Sequence, residues 1–229
     1  MELNTLKKIA AESAVEYVES GMVIGLGTGS TTKFAILKIA ELLKNGSLNN
    51  VVCIPTSNET EVLARELNIP LTDFSNHTKI DITIDGADEV DNNLNLIKGG
   101  GGALLREKIV AQATETEIII VDESKLSLNL GEKWALPIEV IKFASDLEME
   151  FLKSIGGKPE IRMKNGTPFL TDEGNYIIDT NFGIIDNAEL LADKLNHRAG
   201  IVEHGLFIGL AEMVIVAKND GVKTIKKSL

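Results

Sequence analysis

The sequence predicts an α/β protein: a doubly wound (Rossmann-like), mostly parallel sheet with a second, smaller ferredoxin-like α+β domain. Three observations lead there. Apolar runs of strand length alternate with segments of helical spacing over residues 3–122. Polar and charged residues collect directly after those runs, where such sheets bind their ligands. Beyond about Leu130 the order becomes β-α-β-β-α-β, that of a split βαβ unit.

The first half supplies the parallel sheet. Leu3 to Ser20 places Leu6, Ile9, Ala10, Ala14, Val15 and Val18 at helical spacing, and Gly21 is its stop. Met22–Leu26 reads as a buried strand, followed by a helix from about Lys33 to Lys44. Val51–Pro55 is a strand, and Thr56-Ser57-Asn58-Glu59 is a capped helix start continuing through Leu63 and Leu67. Pro70-Leu71 is extended, Ile80–Ile84 is a buried strand, Ala103–Ala113 a helix, and Glu117–Asp122 a further strand.

The second half changes pattern. Leu136–Ile141 is a strand, Ala144–Ile155 a helix and Pro159–Met163 extended. Asn165-Gly166 is a hairpin signal, because both residues tolerate positive φ. Tyr176–Thr180 is a strand, Asn187–Leu195 a helix and Gly200–Glu203 extended. Met213–Val216 and Val222–Ile225 then rejoin the first sheet. The expected division is 1–129 plus 202–229 for the sheet domain and 130–201 for the smaller one, as a lid and oligomer contact.

Composition narrows the function classes. The chain has 229 residues, 44% of them hydrophobic, enough for a packed core. A net charge of −11 argues against nucleic acid and anionic membranes as partners. No apolar run reaches membrane-spanning length, and the N-terminus lacks the apolar stretch of a signal peptide. The single cysteine, Cys53, allows no intramolecular disulfide and reads as a small buried hydrophobe. A cytoplasmic location is expected. His77, His197 and His204 lie in unrelated contexts without ligand spacing, so neither a metal site nor a cofactor is expected.

Two stretches carry the chemistry. Gly27-Thr28-Gly29-Ser30-Thr31-Thr32, between a strand and a helix, offers amides, hydroxyls and a helix N-terminus to a small phosphate. It lacks the Gly-Lys-Ser/Thr ending of a nucleotide loop and, with Ser30 in the third position, the dinucleotide fingerprint. The second stretch is Ile80–Lys108. There the Asp85-Gly86-Ala87-Asp88 turn, Lys98, the glycines Gly99 to Gly102 and Glu107 follow one another within 23 residues. Carboxylates can move protons, and a lysine with bare amides can hold an oxyanion. The plainer reading makes the aspartates turn caps, the glycines bends and Glu107 an exposed helix carboxylate. Thr28, Asp85, Asp88, Lys98 and Lys125 all follow strands, so they can converge.

At these residues the sequence resembles the type A ribose-5-phosphate isomerase family. The matching pieces are Gly27–Thr31, Asp85–Glu89, Lys98–Gly101, Leu105–Lys108, Asp122–Lys125 and His204–Phe207, spread over almost the whole chain. The resemblance implies interconversion of D-ribose 5-phosphate and D-ribulose 5-phosphate without metal or cofactor. It assigns Glu107 as the base between C2 and C1, Lys98 with Gly99, Gly100 and Gly101 as enediolate stabilisers, and Asp85 and Asp88, flanking Gly86 and Ala87, as ring-opening and hydroxyl proton carriers. Thr28, Gly29, Ser30 and Thr31 anchor the substrate, and Lys125 adds positive charge. Lys7 is equally a site charge or a solvated helix lysine, and His204 reads as structural. A homodimer or homotetramer is implied. The rival readings are an acyl-CoA transferase on a related architecture and a non-enzymatic sugar-phosphate sensor.

Overall fold

The structure is a computed structural model that describes residues 1–227. In chain order its elements begin with α1 (Leu3–Val15), β1 (Val23–Leu26), α2 (Thr32–Lys44), β2 (Val52–Pro55), α3 (Asn58–Glu66), β3 (Ile80–Gly86), β4 (Glu89–Val90) and β5 (Leu96–Ile97). Next come α4 (Leu104–Gln112), β6 (Thr114–Asp122), β7 (Leu136–Val140), α5 (Ser145–Ser154), β8 (Lys158–Ile161), β9 (Met163–Lys164) and β10 (Thr167–Pro168). The last are β11 (Tyr176–Asn181), α6 (Ala188–Asn196), β12 (Ile201–His204), β13 (Leu206–Phe207), β14 (Met213–Lys218) and β15 (Gly221–Lys226).

The chain forms two compact units: Met1–Ala87 with Arg106–Ser124 and Gly209–Leu229, and Asp88–Leu105 with Lys125–Ile208. The second is wider than the 130–201 span marked by the sequence: it takes in Asp88–Leu105 and runs from Lys125 to Ile208.

The first unit holds a six-stranded sheet in the order β15-β14-β6-β3-β1-β2. Every pair is parallel except β14 with β15. From β1 the chain moves outward to β2, then returns past β1 to β3 and on to β6 and β14. The order therefore reverses between β1 and β3, and ligands bind outside the C-terminal ends of strands at such a reversal. One face packs under α1 and α2 through Ala10, Ala14, Ile36 and Ile39 against Ile24, Leu26, Ile82, Ile84 and Ile118. The opposite face meets α4, whose Val110 packs on Ile54 and Ile80.

Helix α1 stops five residues before the sequence pattern does. Its end tightens: the amides of Tyr17 and Val18 bond to the carbonyls of Ala14 and Val15, three residues back. Val18 still packs on the core, so its apolar spacing reports burial rather than helix.

The second unit holds a four-stranded antiparallel sheet in the order β12-β7-β11-β8. β7 and β8 are joined by α5 yet separated by β11, which is the split βαβ arrangement. Leu136, Ile138, Val140 and Ile178 share one core with Leu152 of α5 and Leu195 of α6. Asn165 (φ 54) and Gly166 (φ 82) make the tight turn between β9 and β10. A three-stranded sheet, β13-β5-β4, is invisible in the sequence because its two-residue strands carry no periodicity.

Candidate active site

Within the first unit, the site grows from the ends of β1 and β3. The Gly27 amide bonds to the Ile84 carbonyl at 3.0 Å, which carries the pairing of the two strands into the loop. Oδ1 of buried Asp85 accepts the Thr28 amide at 3.1 Å and the Gly86 amide at 2.7 Å. No side chain fits between them: a Cβ on Gly27 would lie 2.2 Å from Asp85 Oδ1 and 2.6 Å from its Cα.

The Thr28 hydroxyl lies 2.8 Å from those of Thr56 and Ser57 and 3.3 Å from that of Thr60. Thr56 and Thr60 donate in turn to the carbonyls of Leu26 and Gly27, each at 3.0 Å. The loop is thus fastened to the chain after β2. Sequence reasoning did not single out Thr56, Ser57 and Thr60 for the site. Their position after a strand, the criterion that selects Thr28 and Asp85, is the signal that could have found them.

Gly29 (φ +116) opens the turn into free space, with nothing within 4 Å of where a Cβ would stand, and Gly29 and Ser30 are exposed. Lys7 Nζ donates to Ser30 Oγ at 2.9 Å, so the ammonium stands at the loop. Thr31 is the N-cap residue of α2 without a side-chain cap bond, and no acidic residue occupies the first turn. The local charge therefore favours an anion.

Glu107 lies in the first turn of α4 and is 6% exposed, not the solvated carboxylate of the plainer reading. Arg106 Nη1 donates to Asn58 Oδ1 at 2.8 Å, which places this turn beside the start of α3, after the C-terminal end of β2. At its other end, the Ala113 carbonyl accepts the Ile80 amide at the start of β3. Glu107 precedes Val110 by three residues and shares its sheet-facing side. Thr28–Thr31, Asp85 and Glu107 therefore gather at one end of one sheet. Gly86 ends β3 and Ala87 follows it; both are partly exposed.

In the second unit, Lys98 follows β5 and is 2% exposed. Its amide bonds to the Gly205 carbonyl at 2.9 Å, and its Nζ stands 5.5 Å from the Phe207 ring centroid. A Cβ on Gly205 would lie 2.3 Å from the Lys98 carbonyl oxygen, so the His-Gly-Leu-Phe stretch needs its glycine to seat the lysine. Asp88 Oδ2 accepts the Gly100 amide at 2.7 Å, and the Gly102 amide closes a turn onto the Gly99 carbonyl at 2.9 Å. Asp88, Lys98 and Gly99–Gly101 are thus gathered on one short stretch.

Lys125 Nζ lies 4.8 Å from the Trp134 ring centroid. That ring's backbone is held by buried Glu89, which accepts the amides of Gly131, Lys133 and Trp134. His204 is buried, its Nδ1 accepting the Leu206 amide at 3.3 Å and its Nε2 3.2 Å from Asn196 Oδ1. Both ring nitrogens are thus engaged within the fold. Among the described residues, no group of three or more His, Cys, Asp or Glu is arranged to hold a metal ion, and no helix is long and apolar enough to cross a membrane.

Residues 52–221 match the family described as Ribose 5-phosphate isomerase A (phosphoriboisomerase A). The chain is 58% identical over 224 residues to the ribose-5-phosphate isomerase A of Desulfatibacillum aliphaticivorans, with 97% of each chain covered. A solved D-ribose-5-phosphate isomerase in complex with phospho-erythronic acid superposes with a TM-score of 0.97 at 44% identity, over 99% of this chain and 100% of that one. The ribose 5-phosphate isomerase from Plasmodium falciparum does so with a TM-score of 0.95 at 47% identity, with the same shares covered.

Proposed function

The chain belongs to the ribose 5-phosphate isomerase A family, whose reaction interconverts D-ribose 5-phosphate and D-ribulose 5-phosphate, and on that premise we propose that its residues carry the proton through an enediolate without a metal ion. The reaction removes a proton beside a carbonyl and returns it to the neighbouring carbon. It needs a base, a holder for the enediolate oxygen, and groups that move hydroxyl protons.

Glu107 is the base. Its burial in the first turn of α4, at the strand-end side of the sheet, is the observation that carries the reading. A carboxylate buried at the site is held where it can take the proton from one carbon and return it to the next. Lys98 and the amides of the Gly99–Gly101 turn hold the enediolate oxygen, with the Gly100 amide fixing Asp88 beside it. Asp85 and Asp88 open the ring and pass the proton between O1 and O2. Thr28, Gly29, Ser30 and Thr31 grip the phosphate, with Lys7 at Ser30 and Lys125 adding positive charge. Gly86 and Ala87 contact the sugar. The enzyme works in the cytoplasm as a homodimer or homotetramer, in the non-oxidative branch of the pentose phosphate pathway, and residues 130–201 act as lid and subunit contact.

The test is an isomerase assay on ribose 5-phosphate beside unphosphorylated ribose, in deuterated solvent and with a chelator. Turnover of the phosphorylated sugar, solvent deuterium at the transferred position and indifference to chelator are expected. Complete retention of the substrate hydrogen would replace proton transfer by a hydride shift. Loss of turnover with chelator would overturn the metal-free mechanism.

A further inference from the structure

Arg162 sits between β8 and β9, a place where nothing in the reaction calls for a cation. Its backbone is fixed on both sides: its amide donates to the Ile177 carbonyl and its carbonyl accepts the Phe169 amide, each at 2.8 Å. Its guanidinium is shared between two tasks. Nε donates to Asp179 Oδ2 at 2.8 Å, and Nη2 donates to Asp179 Oδ1, a two-pronged pair on β11. Nη1 donates to the carbonyl oxygens of Gly99 at 2.9 Å and Gly100 at 3.1 Å. The Arg162 side chain is 16% exposed.

A trans peptide points its carbonyl and its N–H in opposite directions. Holding the Gly99 carbonyl on the guanidinium therefore aims the Gly100 N–H the other way, and that N–H meets Asp88 Oδ2 at 2.7 Å. By the same geometry, holding the Gly100 carbonyl turns the Gly101 N–H away from Arg162, toward the side that Asp88 occupies. Gly99 (φ +96) and Gly102 (φ +89) have backbones that side chains rarely adopt, so four residues with little intrinsic preference make up this turn. An outside clamp selects one orientation among those available to it. A cation on a carbonyl oxygen also polarises the peptide and strengthens its N–H as a donor.

We infer that Arg162 is a positioning residue of the isomerase reaction, its guanidinium held by Asp179 and clamping the Gly99 and Gly100 carbonyls so that the Gly100 amide fixes Asp88 and the Gly101 amide faces the developing enediolate oxygen. The inference rests on the reading that the glycine turn holds that oxygen. A lysine cannot take its place fully, because one ammonium lacks the planar fork that grips Asp179 and both carbonyls together.

The test compares wild type with Arg162→Met and Arg162→Lys. It measures kcat and KM for ribose 5-phosphate, inhibition by phospho-erythronic acid, whose carboxylate stands in for the enediolate oxygens, inhibition by inorganic phosphate, and thermal unfolding. In Arg162→Met, kcat should fall about 10- to 100-fold, as for other misplaced reacting geometries. KM and phosphate inhibition should stay within about twofold, while phospho-erythronic acid weakens by a factor similar to kcat. Arg162→Lys should recover part of the loss. Unchanged kcat in Arg162→Met, or equal losses in kcat, KM and phosphate inhibition, would overturn the role. If Arg162→Met fails to fold, Arg162→Lys and Asp179→Asn decide by the same split. A wild type that neither isomerises nor binds phospho-erythronic acid would instead bring down the proposed function itself.

Discussion

The main-chain amide of Thr28 donates to Oδ1 of Asp85 at 3.1 Å, across 57 residues of sequence. This bond ties the loop after β1 to the end of β3, the two strands between which the sheet order reverses. A proposed phosphate grip and a proposed proton carrier thereby share one hydrogen bond, so neither moves without the other.

That coupling makes Gly27→Ala a sharp probe. The added Cβ would stand 2.2 Å from Asp85 Oδ1 and 2.6 Å from Asp85 Cα, and the backbone contact cannot be relieved by a side-chain rotation. Overpacking of this kind costs about 1–3 kcal/mol. Chemical denaturation should show a loss in that range, together with a large fall in kcat. Wild-type stability in the variant would contradict the packing described.

Glu107→Gln keeps the size and hydrogen-bonding capacity of the side chain while removing the base. The rate should drop roughly 10²–10⁴-fold, with substrate binding retained. Steady-state kinetics beside a direct binding measurement separates the two. Near-normal turnover would take Glu107 out of its proposed role.

Glu139 carries a pH signature. Burial pushes its carboxyl above the usual carboxylate value, against the bonds from Asn175 and Thr171, and the nearby charges of Glu173 and Glu203 push in the same direction as burial. The folded state therefore holds this proton more tightly than the unfolded chain. The resulting stabilisation is full below the ordinary value of 4.5 and is lost as the pH rises through the raised folded value. Unfolding free energies measured upward from pH 4.5 should decline less steeply in Glu139→Gln than in wild type. An identical slope in both would show that Glu139 is not the group responsible.

Cys53 should be chemically silent in the native protein. It is fully buried in the core beneath α2, and burial pushes its thiol up to about 12, so almost no thiolate exists at pH 8. Iodoacetamide should label it only after unfolding, as mass spectrometry can follow. Rapid labelling under native conditions would mean that this core opens easily.

The proposed chemistry is legible in the sequence where residue type and position after a strand coincide. Thr28 and Asp85 stand out in this way, at or just beyond the ends of β1 and β3, whereas Lys98 follows a two-residue strand that has no periodicity to show it. Glu107 is visible only by resemblance, because a carboxylate early in a helix is ordinarily solvated; its burial depends on what packs around it. Thr56, Ser57 and Thr60 read as a helix cap, and one of their bonds is such a cap: the Thr60 amide on Ser57 Oγ at 3.1 Å. Their second task, bracing Thr28, involves a partner about 30 positions away. Arg162 gives no local signal at all, since both ends of its contact set lie outside any window around it.

By itself, then, the sequence determined the succession of strands and helices, the split βαβ order of the later half and the glycine positions at the turns. These are written in periodicities and backbone preferences that span a few residues. Tertiary structure alone decided that β1 lies between β2 and β3, that Glu107 is shielded from water, and that an arginine between β8 and β9 takes hold of the glycine turn. Each of those outcomes depends on which distant faces bury one another, and on where a buried donor finds its acceptor, and no local stretch of chain encodes either.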